Sequence, residues 1–179
     1  DNFLLSFPID LADVIKSRLQ IFVIMSDVII DDISASYSQI GLIDEKHSNA
    51  YSINDRLSLI IDNTIDKFNS KIEENTEWIL ACIKSSLPEV FLATSEKFVP
   101  QMLNLDIDEL GVSFSKGCYP GQEVVARLHY LGSAKRRLFS FQSDHEMKVG
   151  DSLYCKTSKT ALARGDRYKG SGIVVSKVK

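Results

Sequence analysis

The side chains with the clearest chemical potential lie in the segment Lys116-Gly-Cys-Tyr-Pro-Gly-Gln-Glu123. Cys118 is close to a predicted helix start, where unpaired backbone N–H groups and the positive end of the helix dipole favour a thiolate over a thiol. Lys116 adds a positive charge two residues away. Gly117 and Gly121 remove side-chain bulk beside the thiol, so a ligand or a backbone can approach closely. This spacing predicts a reactive, accessible thiol.

The chemistry open to Cys118 is limited by its neighbours in the sequence. Cys82 and Cys155 are each more than thirty residues away, which matches neither a zinc-ligand pattern nor a disulfide framework. This cysteine usage suits a reducing compartment, and we expect a cytoplasmic protein. His129 lies about three turns along the predicted helix, which argues against a Cys–His catalytic pair. Taken alone, a Gly-Cys-x-x-Gly turn favours a structural loop.

Charge is distributed unevenly along the 179 residues. Residues 1–115 contain 8 basic and 19 acidic side chains, a balance of −11. Residues 116–179 contain 13 basic and 5 acidic side chains, a balance of +8. A basic C-terminal third indicates a polyanionic partner or a charged cleft, with a solvated basic surface as the alternative. No run of about 20 apolar residues is present, so no membrane-spanning helix is predicted.

The N-terminal elements predict an α+β fold. The pattern over residues 3–7 is typical of a strand, and a helix capped by Asp10 or Asp13 should follow. Residues 21–30 are expected to form a strand or core segment, and residues 28–33 are rich in the branched residues of strands. A strand, a helix and a strand in this order favour α+β over a helical bundle.

Three further helices are predicted in the middle of the chain, with an irregular segment between the second and the third. Apolar residues recur at helical spacing from Leu57 to Ile72, so a helix is predicted from about Ser52 to residue 71 or 74. A second helix is predicted over 74–85, followed by an irregular segment. A third is predicted from Pro120 to His129, because proline suits the first helical turn.

The last third of the chain is strand-like. Strands are predicted over 138–142, 152–155 and 172–175, separated by Gly and Asp turns. Residues 133–179 therefore predict the start of a small antiparallel β-barrel. The expected domains are an α+β domain over 1–130 and a C-terminal barrel domain over 131–179.

The segment 116–123 resembles the signature of the YgfZ family, folate-binding proteins related to the T protein of the glycine cleavage system, an aminomethyltransferase. The segments Pro100-Gln-Met-Leu-Asn-Leu-Asp106, Gly111-Val-Ser-Phe114 and Phe22-Val-Ile-Met-Ser-Asp-Val28 support the resemblance. It implies a T-protein-like folate-binding fold. Because the chain begins at Asp1 and ends in a strand-like segment, residues are expected to be missing on both sides.

The resemblance also implies a ligand and a site. Family members bind tetrahydrofolate in a central channel between three domains, and they support iron–sulfur enzymes, including enzymes that thiolate tRNA. The positions that match the signature are Lys116, Gly117, Cys118, Tyr119, Gly121, Gln122 and Glu123. Cys118 is the candidate reactive thiol, and the others are candidate folate-binding residues.

Folate chemistry suits the charged and aromatic side chains near this signature. The glutamate tail of folate is anionic at neutral pH, and cations can bind its carboxylates. The candidate counter-charges are Lys116, Arg127, Arg136 and Arg137. Tyr119 could stack on the pterin or benzoyl ring, with core packing as the alternative. Glu123 could cap the helix or accept a hydrogen bond from a pterin amine.

Several functions compete on this basis. The leading interpretation is a folate-binding accessory protein for iron–sulfur cluster assembly or maintenance, with a role in tRNA modification. The main alternative is a folate-dependent aminomethyltransferase, whose catalytic Asp belongs to an N-terminal region expected to be missing here. Direct tRNA binding is a weaker interpretation, because the sequence has no RNP-type aromatic pattern or KH-type loop. Cys118 alone could not hold an iron–sulfur cluster, which normally takes three or four thiolates.

Overall fold

The computed structural model describes residues 2–24, 26–63, 75–107, 111–143, 147–154, 161–168 and 171–177. The chain forms two compact units, residues 1–81 and 82–179. Both units contain helical segments and antiparallel strands. The α+β class predicted from the sequence is therefore confirmed, whereas the domain division expected after residue 130 stays a prediction.

The first unit contains a three-stranded antiparallel sheet. Helix α1 (Ala12–Gln20) follows a 3-10 turn, and the sheet comprises strands β1 (Ser38–Ile43), β2 (Tyr51–Ser52) and β3 (Leu57–Asp62). Strand β3 lies between the other two, in the order β1-β3-β2. Helix α2 (Thr76–Lys84) begins in this unit, and it confirms the helix predicted over 74–85.

Strand β3 occupies the first part of the segment for which a helix was predicted, so that prediction is wrong for residues 52–62. The spacing of Leu57, Ile60 and Ile61 matches a helix face, but β-branched side chains also favour strands. A central strand pairs on both edges, and β3 buries Leu57 and Ile60. Pairing with β1 and β2 therefore overrides the apparent helical period. Residues 64–74 of the predicted helix lie outside the described residues.

The strands predicted near the N-terminus are also wrong. In the described part of the chain, residues 3–7, 21–24 and 28–33 form no strand. Phe3 and Ile29 are 85% and 82% exposed, respectively. Apolar, branched residues favour a strand only where a second strand satisfies the backbone and a surface covers the side chains. Among the described residues, no second strand pairs with these segments, and most of their apolar side chains are exposed.

Helix α1 confirms the predicted helix but not its cap. Its N-cap residue is Leu11, which makes no capping side-chain hydrogen bond. Asp10 belongs to the preceding 3-10 turn, and Asp13 lies in the first turn of the helix. A carboxylate in the first turn still interacts favourably with the helix dipole.

The described part of the second unit combines an irregular segment, a complete helix and a sheet. Two 3-10 turns, at Leu92–Thr94 and Pro100–Leu103, interrupt the irregular segment, and helix α3 spans Gln122–Leu131. Four strands follow: β4 (Arg136–Gln142), β5 (Leu153–Tyr154), β6 (Ala161–Tyr168) and β7 (Ser171–Lys177). They form an antiparallel sheet in the order β4-β7-β6-β5.

The predicted elements of this second unit are largely confirmed. Helix α3 and strands β4, β5 and β7 lie where the sequence predicts them, and Cys155 lies outside the described residues. Strand β6 was not predicted, because Gly165 and Asp166 are weak strand formers. The pairing of β6 with β7 shifts register between Arg164 and Arg167, so the ladder is irregular at these two residues. Closure of the sheet into a barrel stays a prediction.

A small core in the second unit connects the elements around the signature segment. Leu103 from the second 3-10 turn, Val125 from α3 and Leu138 from β4 are all buried. Burial of such side chains stabilises the folded state by about 1.5–3 kcal/mol each. Among the described helices, none is long and apolar enough to span a membrane.

Candidate functional site

The signature segment ends in a tight turn that leads into helix α3. The backbone N–H of Gln122 donates to the carbonyl of Tyr119 at 3.3 Å. Gly121 has φ 86° and ψ −1°, which are the angles of the third residue of a type II turn, and proline favours the second position. The Gln122 side chain closes the turn from the other side, because its Oε1 accepts from the Tyr119 N–H at 3.2 Å.

This turn corrects two expectations about the start of α3. The helix begins at Gln122 with Gly121 as its N-cap, so Pro120 lies before the helix rather than in its first turn. Cys118 is correspondingly farther from the helix end. The side chain that binds the turn backbone is Gln122 and not Glu123, although Glu123 does lie in the first helical turn. There its carboxylate complements the helix dipole.

Gly121 is required by this turn, and its replacement should be costly. We expect Gly121→Ala to destabilise the protein by about 1–2 kcal/mol, because an L-residue with a side chain is strained at positive φ. A steric collision is not the cause of this destabilisation, since a Cβ at Gly121 would have no neighbour within 4 Å. Urea denaturation followed by circular dichroism measures the loss. Gly121→Asn should cost less, because asparagine tolerates this conformation; equal stability of all three proteins would contradict the assignment.

The residues just before the turn are open to solvent. Lys116, Gly117 and Cys118 are exposed, and Tyr119 is half-buried. The Lys116 Nζ lies 4.5 Å from the centroid of the Tyr119 ring, a cation–π contact. Cys118 is a free thiol. The structure thus presents an ammonium group, an aromatic ring and a thiol together on one exposed loop.

A buried glutamine connects helix α3 to strand β4. Gln101 is 1% exposed, and its Nε2 donates to the carbonyl of Val125 in α3 at 2.7 Å. The backbone carbonyl of Gln101 accepts from Arg137 of β4 at 3.0 Å. One residue of the segment 100–106 therefore contacts both α3, which contains the end of the signature, and β4, which follows it.

Two more residues of segment 100–106 bind strand β4. Asn104 exchanges hydrogen bonds with Leu138: its Nδ2 donates to the Leu138 carbonyl at 3.1 Å, and its Oδ1 accepts from the Leu138 N–H at 3.4 Å. Asp106 forms a bidentate ion pair with Arg137, in which Nη1 donates to Oδ1 and Nη2 to Oδ2. We call Gln101, Asn104, Asp106 and Arg137 the polar bracket.

The sequence did not reveal the roles of the bracket residues. Segment 100–106 was recognised only as supporting the family resemblance. The available signal was three polar side chains within a short, otherwise apolar stretch. Buried polar groups are normally hydrogen-bonded, so such residues indicate contacts with distant backbone or side chains.

The candidate counter-charges fall into two groups. Arg137 is engaged with Asp106 and Gln101. The predicted contact of Arg137 with folate stays a prediction. In the structure, Arg137 binds other residues of the same chain. Arg127 and Arg136 are exposed, and within the described ranges neither makes an ion pair. They are available to an external anion. The described residues contain no group of three or more His, Cys, Asp or Glu side chains that could hold a metal ion.

Comparisons with known proteins show relatives over much of the chain. A Haemophilus influenzae protein described as uncharacterized is 36% identical over 121 residues, which are 64% of this chain and 43% of its own. The tRNA-modifying protein YgfZ of Sodalis glossinidius is 32% identical over 109 residues, 60% of this chain and 31% of its own. That of Colwellia psychrerythraea is 51% identical over 69 residues, 38% and 21% of the two chains. No family model matches.

Several of these relatives are YgfZ proteins, and the chain is similar to them at 32–51% identity, which supports the resemblance seen in the sequence. The chain spans less than half the length of the curated relatives that it matches.

Proposed function

We propose that this protein binds tetrahydrofolate at the exposed loop 116–119 and acts as an accessory factor for iron–sulfur enzymes in tRNA modification. The observation that carries the proposal is the grouping of Lys116, Cys118 and Tyr119 before the type II turn. The tRNA part of the proposal is supported by several relatives, which are named tRNA-modifying proteins. The parts of the proposal that concern folate and iron–sulfur enzymes rest on the family resemblance.

The three side chains offer complementary contacts to a folate. The Lys116 ammonium can pair with a carboxylate of the glutamate tail, a charge-assisted hydrogen bond. The Tyr119 ring can stack on a flat heterocycle, and its contact with Lys116 holds both groups on the same side of the loop. Cys118 lies between them in sequence with an exposed thiol, which leaves it accessible to a partner protein.

Calorimetry with tetrahydrofolate on the purified full-length protein tests the folate site. We expect the wild type to bind and Lys116→Ala to weaken binding about tenfold, since a hydrogen bond to a charged group contributes about 1.5–3 kcal/mol. Lys97→Ala is the matched control, because Lys97 is also exposed in the second unit. Absence of binding, or equal loss in the two lysine variants, would refute the folate site.

A Cys118→Ser strain tests the accessory role separately. We expect this variant to bind tetrahydrofolate normally but to lower the fraction of thiolated tRNA in cells, because serine cannot act as a thiolate. Normal tRNA thiolation in that strain would count against a role for the thiol. Production of methylenetetrahydrofolate in a coupled assay would instead support the aminomethyltransferase alternative.

A further inference from the structure

Three aromatic rings, half-buried Phe114 and exposed His129 and Tyr130, form a cluster at the end of helix α3. Phe114 and His129 stack with their centroids 3.5 Å apart and their planes 13° apart. Tyr130 meets both rings edge-on, with its centroid 4.8 Å from that of His129 and 6.4 Å from that of Phe114. His129 is exposed, and Tyr130 is 67% exposed. We call these three residues the aromatic cluster.

Three exposed cations lie close to the aromatic cluster in the sequence. Arg127 lies three residues before Tyr130 in α3, so the two side chains share a face of the helix. Lys135 and Arg136 follow shortly after the helix ends. All three cations are exposed, and none makes an ion pair with any residue that the structure describes. The surface therefore favours an anionic partner.

The exposure of the cluster indicates a large partner rather than a small one. Sites for small molecules are usually concave and bury most of the ligand surface. Here Tyr130 and the adjacent Leu131 are mostly solvent-exposed. An acidic peptide would satisfy the cations but has no need of stacked rings. A polyanion that carries flat bases satisfies both, because bases stack on exposed aromatic side chains while cations contact phosphates.

We propose that the aromatic cluster, with Arg127, Lys135 and Arg136, binds single-stranded RNA. An unpaired base extends the Phe114–His129 stack, and the neighbouring phosphates contact the three cations. This inference rests on the tRNA role in the proposed function and assigns that role a contact surface. It assigns RNA to a surface other than the loop 116–119, to which folate binding is assigned.

Fluorescence anisotropy with a labelled, unstructured RNA of about 12 nucleotides tests the surface, with the same strand in a duplex for comparison. We expect the single strand to bind more tightly than the duplex, whose bases already stack on each other. His129→Ala and Tyr130→Ala should each weaken single-strand binding about 5- to 20-fold. Tyr51→Ala is the matched control and should change nothing, because Tyr51 is similarly exposed (61%) but lies in the first unit.

A salt titration separates the contribution of the cations. We expect Arg127→Ala to lower the slope of log affinity against log salt by about one, as loss of one phosphate contact does. Equal binding of single strand and duplex, or equal effects of Tyr130→Ala and Tyr51→Ala, would overturn the inference and indicate non-specific attraction.

Tetrahydrofolate calorimetry on the same variants distinguishes this inference from the proposed folate site. We expect His129→Ala to lose RNA affinity and keep folate affinity, and Lys116→Ala to do the opposite. If His129→Ala loses folate instead, the cluster binds a pterin and the RNA assignment is wrong. If no RNA binds while folate does, only the RNA surface fails.

Discussion

Arg137→Met is expected to destabilise the protein by about 3 kcal/mol, because it leaves the Asp106 carboxylate without its bidentate partner. The two side chains are only 25% and 12% exposed, so water cannot fully replace the guanidinium. The variant also removes the hydrogen bond to the Gln101 carbonyl. Methionine keeps most of the aliphatic length, so the loss reflects polar contacts more than packing. Urea denaturation followed by circular dichroism measures it.

The adjacent arginine provides a control for Arg137. Arg136 belongs to the same strand but is exposed and makes no ion pair among the described residues. Arg136→Met should therefore change stability by less than about 0.5 kcal/mol. In a double-mutant cycle, Asp106→Asn should cost much less in the Arg137→Met background than in the wild type, because the shared contact is already gone. Additive losses would show that the pair is not coupled.

Gly111→Ala is expected to destabilise the protein by about 3 kcal/mol, at the upper end of the usual cost of overpacking. A Cβ at this position would collide with the backbone of Leu105. That backbone cannot easily move, because the Leu105 carbonyl accepts from the Val112 N–H at 2.7 Å and the Leu105 N–H donates to Pro100 at 3.1 Å. Relief of the collision therefore requires loss of these hydrogen bonds. Denaturation midpoints in urea measure the effect.

Gly117, in the same region, is a control that separates the steric cost of an added Cβ from the general effect of replacing a glycine. A Cβ at Gly117 would meet no atom within 4 Å. Gly117→Ala should therefore be neutral or slightly stabilising, since alanine restricts the unfolded chain more than glycine does. If both variants were equally stable, the close approach of Leu105 to Gly111 would not exist in solution.

Sequence patterns predicted the structure well where the backbone conformation depends on residues that are close together in the chain. Pro120 and Gly121 favour a type II turn through their own backbone preferences, which require no distant contact, although Pro120 was expected in the first helical turn instead. The placement of α3 was correct to within about two residues, the usual uncertainty of helix ends. The error at its start arose because proline is common both in the first helical turn and in the turn that precedes a helix.

Local signals failed where pairing with a distant segment decides the structure. Leu57 and Ile60 have helical spacing, yet their strand pairs with β1 and β2 across intervening loops. Residues 28–33 have strand composition, yet they pair with nothing in the described part of the chain. A period of apolar residues reports which side chains can be buried together, and it does not report which partner is present to bury them.

By itself, the sequence indicated the resemblance to the YgfZ family, the α+β class and the segment that contains Lys116, Cys118 and Tyr119. Only the tertiary structure decided which nearby cations remain available to a ligand. Arg136 and Arg137 are adjacent in sequence and chemically identical, but successive side chains of a strand point to opposite faces. One guanidinium binds Asp106, 31 residues away along the chain, and the other reaches solvent. That choice depends on which face of β4 the segment 100–106 covers, and no local pattern records it.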